Sequence, residues 1–410
     1  MAPRGGPGLR GSVVTRRRVL VAYPHIGSTG GGNVVAAWAL QALREEFEVV
    51  LATLGPVDCP ALNRNFGTSL RESDFDLRIA PGRYRSLLRV LPTQGALMEI
   101  AVTARWARAL AARERVDVAL STHNEMDFGR PGLQYVHYPW AYFPRPDIEM
   151  QWFHRIPGVL AAYRGLCQWL AGGSIEGRGL NLSLANSAFV AGKIKQVYGA
   201  NSEILYPPVP GSFPDIPWPE RRSAAVAIGR MHPVKRWEMA VEIVELARSR
   251  GVDIGLTLIN QPDQMNYGRR IAEMAAGRPW FRLLTGITRE QLAAEVAHHR
   301  YGIHTMQDEH FGIAVAEMVR AGCIPLVHDS GGPVEIVGGH RELRFRTIEE
   351  GAAALRAVIE DPTLQERLRT ELVQQRERFS VEAFCESLLR VVRRQCNQKQ
   401  IQPMNTDEHR

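Results

Sequence analysis

A chain of 410 residues exceeds what a single hydrophobic core ordinarily supports, so two domains are expected. With 45% hydrophobic and 23% charged residues the composition is that of a packed globular protein rather than a disordered one, and the five cysteines, odd in number and widely spaced, argue for a reducing compartment and against a disulfide framework. The formal charge of +7 lies wholly in the first half: residues 1–205 hold 23 Lys and Arg against 16 Asp and Glu, and the remainder 27 against 27.

An arginine-rich genome accounts for the near absence of lysine. The asymmetry between the halves reads instead as contact with an anionic membrane surface or a phosphate-bearing acceptor. No DNA- or RNA-binding motif occurs and the basic residues are diluted among acids, so no nucleic-acid partner is expected.

Residues 1–15 read as a disordered tail. Arg16-Arg17-Arg18 then precedes Val19–Tyr23, a run too short for an export signal and closed by Pro24, hence a first buried strand. No apolar run is long enough to span a membrane, so the protein is expected in the cytoplasm, with peripheral attachment to the inner face of the membrane left open. Short apolar runs alternate with helical stretches, the pattern of βαβ units. Strands are predicted at Val19–Tyr23, Val49–Leu54, Val116–Ser121, Leu133–Tyr138 and Leu180–Ala185. Helices are predicted at Val34–Phe47, Ala96–Arg113 and Phe189–Tyr198, the last capped by Ser187.

The stretch Arg83 to Leu91 and the 97–113 helix mix arginines with apolar positions, which suits either a membrane-lying helix or a buried one with a basic outer face. Trp140, Tyr142, Phe143, Trp152 and Phe153 suit packing, a lid or acceptor contact. Ile175-Glu176-Gly177-Arg178 spells a protease recognition tetrapeptide but reads as a natural loop, because the fold pattern continues on both sides.

The proline-rich segment from Pro207 to Pro219 reads as an interdomain linker. A second series follows, with strands at Ala224–Ile228, Ile254–Ile259, Tyr301–Thr305 and Ile324–Val327. Its helices are Trp237–Arg248, Gln264–Ala276, Thr288–His299 with a Thr288/Gln291 capping box, 362–378 and 381–394. The expected division is an N-terminal domain over 16–208, a C-terminal domain over 209–380, a terminal helix over 381–396 and a frayed tail over 397–410.

The most informative stretch runs from Asp308 to Cys323. It places Glu309 just before a helix and Glu317 in its second turn, while Phe311, Gly312 and Ile313 supply N–H groups at the helix start, a seat for anions. Two carboxylates flanking such a seat suit a phosphorylated sugar, although spacing alone is equally that of two surface glutamates. Gly229-Arg230 and Lys235 follow a strand at the end where parallel sheets bind ligands. Two fixed cations there would stabilise a departing diphosphate without a metal.

Gly30-Gly31-Gly32 lies between the first strand and a helix beginning at Asn33. It fits a tight turn or an anion-facing loop better than a nicotinamide site, since Val35 stands where a third glycine belongs and Ala52-Thr53-Leu54 lacks the ribose-binding acid. His137 closes a strand, a position more often structural than functional.

The glutamate pair resembles that of the retaining group-1 (family 4) glycosyltransferases. The longer run Gly302-Ile303-His304-Thr305-Met306, His310-Phe311-Gly312-Ile313 and Ser330-Gly331-Gly332-Pro333 is similar to the mannosyltransferases that extend lipid-linked N-glycan precursors with α-1,2-mannose. The resemblance implies a GT-B fold of two facing Rossmann-like α/β domains, with a nucleotide-sugar held mainly by the C-terminal one and the terminal helix crossing back.

It implies a catalytic set of Glu309, His137, Arg230 and Lys235. It also implies a donor site of Arg230, Lys235, Glu309, His310, Phe311, Gly312, Ile313 and Glu317, and an acceptor and phosphate loop at Gly30, Gly31 and Gly32. Glu309 would bind hydroxyls of the donor sugar and Glu317 the ribose, with no metal or other cofactor. Mannose from a GDP- or UDP-linked donor, and a glycan or lipid-linked acceptor, follow as substrates. A GT-B-like sugar-nucleotide epimerase would need acid/base residues around the hexose, and a non-catalytic scaffold for anionic lipid or polymer would need no donor site at all.

Overall fold

The computed structural model describes residues 16–90, 96–143, 156–261 and 265–401. Two all-parallel sheets organise them. The first comprises β1 (Arg18–Ala22), β2 (Glu48–Thr53), β3 (Asp76–Ile79), β4 (Val118–Ser121), β5 (Leu133–Val136), β6 (Leu182–Ala185) and β7 (Glu203–Ile204), in the order β3-β2-β1-β4-β5-β6-β7. The second comprises β8 (Arg222–Arg230), β9 (Gly255–Gln261), β10 (Phe281–Thr285), β11 (His299–His304), β12 (Ile324–His328) and β13 (Arg344–Phe345), ordered β10-β9-β8-β11-β12-β13.

Both orders reverse direction beside the first strand, as doubly wound sheets do. Central strands such as β1 and β12 are buried along their length because helices cover both faces of the sheet. This is the two-domain GT-B arrangement that the resemblance implied.

The strands absent from the sequence reading are β3, β7, β10 and β13, all at or next to sheet edges. Charged or exposed positions interrupt them, as in Asp76-Leu77-Arg78-Ile79 and Phe281-Arg282-Leu283-Leu284-Thr285, so they carry no continuous apolar run. Helices Cys59–Phe66, Val159–Ala171 and Ile348–Glu360 were also unforeseen. Ile175–Gly179 is a helical turn capped by Ser174 rather than a loop, and its buried Arg178 guanidinium lies 4.4 Å from the centroid of the Trp140 ring.

Helix Ala96–Arg113 has its expected limits, but its apolar residues, from Leu97 to Ala111, are buried against the first sheet. The membrane-lying alternative for that helix is thereby corrected, since its large apolar side chains are taken up by the core. Trp152, Phe153 and Leu91 lie outside the described residues, as do the tails 1–15 and 402–410.

The last helix, Val381–Ile401, outruns its expected end and is still helical where residues 397–401 were expected to fray. It returns to the first domain, burying Phe384, Leu388 and Val392 in the core that contains β1. Arg393 bonds Glu46 at 2.8 Å, and Arg394 pairs with Glu203 at 2.5 Å.

Candidate active site

The carboxyl ends of β1 and β4 in one sheet face those of β8 and β11 in the other. These are the points where strand order reverses, and there the chain exposes backbone groups and side chains to a crevice. The approach is close. A Cβ added at Gly31 would sit 2.7 Å from Ile313 Cδ1, so any larger residue there would have to push that side chain aside. The helix after β1 begins at Gly31 rather than Asn33, with Gly30 as its N-cap at φ 93°; two of the three glycines thus form its first turn instead of a loop.

Every residue singled out from the sequence except Glu317 lines one cavity of about 540 Å³ between the domains: Gly30–Gly32, His137, Arg230, Lys235 and Glu309–Ile313. A contiguous cavity of about 630 Å³ shares Gly30, Arg230 and Ile313 with it and reaches Glu317, Thr288, Arg289 and Asn260. The sequence predictions therefore converge on one crevice, with Glu317 in its inner extension.

Lys235 Nζ lies 2.5 Å from Glu309 Oε2, and both side chains are mostly buried. Burial by itself would raise the Glu309 carboxyl, but Lys235, with His304 and His310 behind it, outweighs this and holds it at about 2. His304 Nε2 stands 3.7 Å from the same oxygen without a hydrogen bond, and burial followed by the Lys235 charge pushes the imidazole down to about 3. Glu309 is therefore an anion beside one cation and one neutral ring.

Thr305 Oγ1 anchors the Lys235 loop by donating to the carbonyls of Lys235 (2.6 Å) and Arg236 (3.0 Å). Helix Ile313–Ala321 starts behind Gly312, whose φ of 100° a side chain would oppose, and ends at Gly322 as expected. Gly312, Ile313 and Ala314 at its start line the cavity.

Glu317 Oε1 pairs with Arg289 Nη1 at 2.5 Å, and Arg289 Nη2 donates to the Pro210 carbonyl, which ties the linker to this side of the cavity. The Thr288/Gln291 capping box forms as expected and starts the helix that carries Arg289. Asn260 is buried at the end of β9 with its Oδ1 unpartnered.

On the opposite wall, His137 Nε2 donates to the Thr122 carbonyl at 3.1 Å, and burial lowers the ring to about 4, so it is neutral at pH 7. Asn124 Oδ1 accepts from the backbone N–H groups of His137 (2.8 Å) and Tyr138 (3.1 Å). The His310 ring stacks on Tyr138 across the cleft at 4.0 Å and 5°, while its carbonyl accepts from Ser187 Oγ at 2.6 Å. The ring is thus engaged in joining the domains.

Asn124, Tyr138, Asn260 and Arg289 were not given roles from the sequence. His304, likewise given no role, was the one with a signal, standing inside the motif Gly302–Met306. Among the described residues no three His, Cys, Asp or Glu side chains gather as a metal site would require.

Residues 211–374 match the family model described as "Glycosyl transferases group 1". The chain is 29% identical over 226 residues to the mouse "GDP-Man:Man(3)GlcNAc(2)-PP-Dol alpha-1,2-mannosyltransferase", covering 50% of this chain and 45% of that one. To the human protein of the same name it is 30% identical over 176 residues, covering 38% and 36%. The chain therefore spans less than half the length of these curated relatives.

Solved structures match over nearly the whole chain. Anabaena Alr3699/HepE in complex with UDP-glucose superposes with a TM-score of 0.62 at 13% identity, over 92% of this chain and 99% of that one. WaaG, a glycosyltransferase involved in lipopolysaccharide biosynthesis, gives 0.61 at 14%, over 92% and 99%. At these identities the likeness is one of fold.

Proposed function

We propose, from the match of residues 211–374 to the group-1 glycosyl transferase model and from the crevice geometry, that the chain is a retaining glycosyltransferase that moves a hexose from a nucleoside-diphosphate sugar to a glycan or lipid-linked acceptor. The observation that carries this is the meeting of a depressed carboxylate, two cations and a helix start at facing strand ends: Glu309, Lys235, Arg230 and the amides from Gly312 onward.

In this reading the diphosphate lies between Arg230, Lys235 and the helix start, the sugar hydroxyls bond Glu309, and the ribose bonds Glu317 in the inner cavity. The bond from the sugar's anomeric carbon to the diphosphate oxygen breaks as charge builds on the phosphate, which the fixed cations stabilise without a metal. The acceptor oxygen bonds the anomeric carbon from the face the diphosphate leaves, and its proton passes to the departing phosphate oxygen. The configuration is retained, and no protein base is needed on that face. His137, neutral, borders the sugar rather than exchanging protons with it.

Similarity to proteins named as GDP-mannose-dependent makes mannose from GDP-mannose the first donor to test, and a lipid-linked glycan the first acceptor. The test is a panel of nucleotide-sugars with release of nucleotide followed in the presence and absence of acceptor. Acceptor-dependent release with a retained product anomer, unaffected by EDTA, is expected. An inverted anomer, interconversion of the donor without acceptor, or no response to any donor overturns the reading.

A further inference from the structure

We propose that helix Val159–Ala171 and the turn after it form a surface that docks on an anionic lipid bilayer. The proposal rests on the reading above, in that a lipid-held acceptor requires such contact. Eight large hydrophobic side chains are exposed among the described residues, and five fall between positions 156 and 180: Ile156, Leu166, Trp169, Ile175 and Leu180, with Trp169 68% and Leu180 65% exposed.

The helix lacks the polar outer face of a normal surface helix. Cys167, Leu170 and Ala171 pack inward, while Ala161, Ala162, Gly165, Leu166 and Trp169 face out without a charge among them. A tryptophan beside arginine suits the headgroup boundary, where an amphipathic ring has one face in apolar surroundings and a cation meets lipid phosphate. Here Arg105 lies 5.9 Å from the Trp169 ring and also donates to the Leu170 carbonyl at 3.3 Å.

Charge complementarity selects a bilayer over a second copy of the chain. The half of the sequence that carries this face holds the entire +7 excess. Pairing two copies through this face would bring two net-basic N-terminal halves together, whereas anionic headgroups would neutralise them. The thirteen residues of the helix span about 20 Å, too short for a hydrocarbon core of roughly 30 Å, so the helix lies in the interface.

The face also adjoins the crevice. Arg164 Nε, on the same helix, holds the Phe143 carbonyl at 2.8 Å, and Phe143 lines the 540 Å³ cavity. An acceptor anchored in the bilayer would therefore sit beside the acceptor wall.

The experiment is co-sedimentation with phosphatidylcholine vesicles made with and without phosphatidylglycerol, for the wild type and for Leu166→Glu/Trp169→Glu, with circular dichroism to show that both fold. Binding to anionic vesicles that weakens with salt, and falls at least ~10-fold in the double variant, is expected. Equal binding by the variant, no vesicle binding by the wild type, or a lipid-free dimer that the variant dissolves overturns the proposal. Thermal shifts with GDP and UDP in lipid-free buffer separate the two readings. If nucleotide shifts neither protein while vesicle binding still falls in the variant, the docking surface stands and the transferase reading fails.

Discussion

Three non-glycine residues adopt left-handed φ among the described residues, Asn124 (61°), Arg236 (51°) and Asp308 (49°), and all three follow strands whose ends face the crevice. Such conformations persist where surrounding bonds over-determine them and cluster at functional sites. For Asn124 the bonds are those from the His137 and Tyr138 amides. Asn124→Gly keeps the backbone conformation but removes both, and is expected to lower kcat ~10-fold by loosening His137 while the melting temperature falls modestly.

Glu309→Ala should reduce turnover by orders of magnitude, on the order of 100-fold or more, with the circular-dichroism spectrum unchanged. The titrating groups act in the same direction. His137 and His304, held at about 4 and 3 against an ordinary 6.5, are neutral in the fold. Their contribution is complete above pH 6.5 and is lost as pH falls toward 4, at up to ~1.4 kcal/mol per pH unit for each. Glu309, depressed from 4.5 to about 2, adds a further loss below pH 4.5. Melting temperatures from pH 8 down to 4 should decline with a shallower slope in His304→Asn than in the wild type.

At the scale of elements, the contact between the first turn of helix Gly31–Leu43 and the start of helix Ile313–Ala321 sets the width of the crevice. Gly31→Ala drives a methyl against Ile313 Cδ1 and should raise the donor KM or dissociation constant. Pairing it with Ile313→Val, which removes that carbon, should restore binding; calorimetry with GDP or UDP reads both. The terminal helix is held by apolar burial more than by its exposed ion pairs, which contribute little in water. Leu388 is 1% exposed, so Leu388→Ala should destabilise by about 2–5 kcal/mol in urea unfolding.

Across the whole molecule the two domains are joined by the linker, the terminal helix and a short set of polar contacts. Glu335 accepts from the Ala188 amide (2.9 Å) at the start of helix Ala188–Tyr198 and from Tyr206 (3.0 Å), and Ser187 caps that same helix while donating to the His310 carbonyl. A carboxylate at a helix N-terminus is electrostatically favoured, although burial raises this one above the usual range. Glu335→Ala removes the contact without disturbing either core. Its expected result is a larger radius of gyration by small-angle scattering and a raised donor KM, with little change in the unfolding transition of each domain.

By itself the sequence determined the fold class, most central strands and the helices between them, because continuous apolar runs and cap residues are local signals. Ser187 and the Thr288/Gln291 box cap helices as expected, and the residues from Glu309 to Ile313 stand at a helix start. Only the tertiary structure decided what these residues touch. Lys235 and Glu309 are 74 positions apart, Asn124 and Tyr138 14, and Ser187 and His310 123, and no periodicity reports a contact made by bringing two sheets face to face. The edge strands and the apolar outer face of helix Val159–Ala171 escaped for the same reason, since local patterning records how apolar a residue is but not whether the fold covers it.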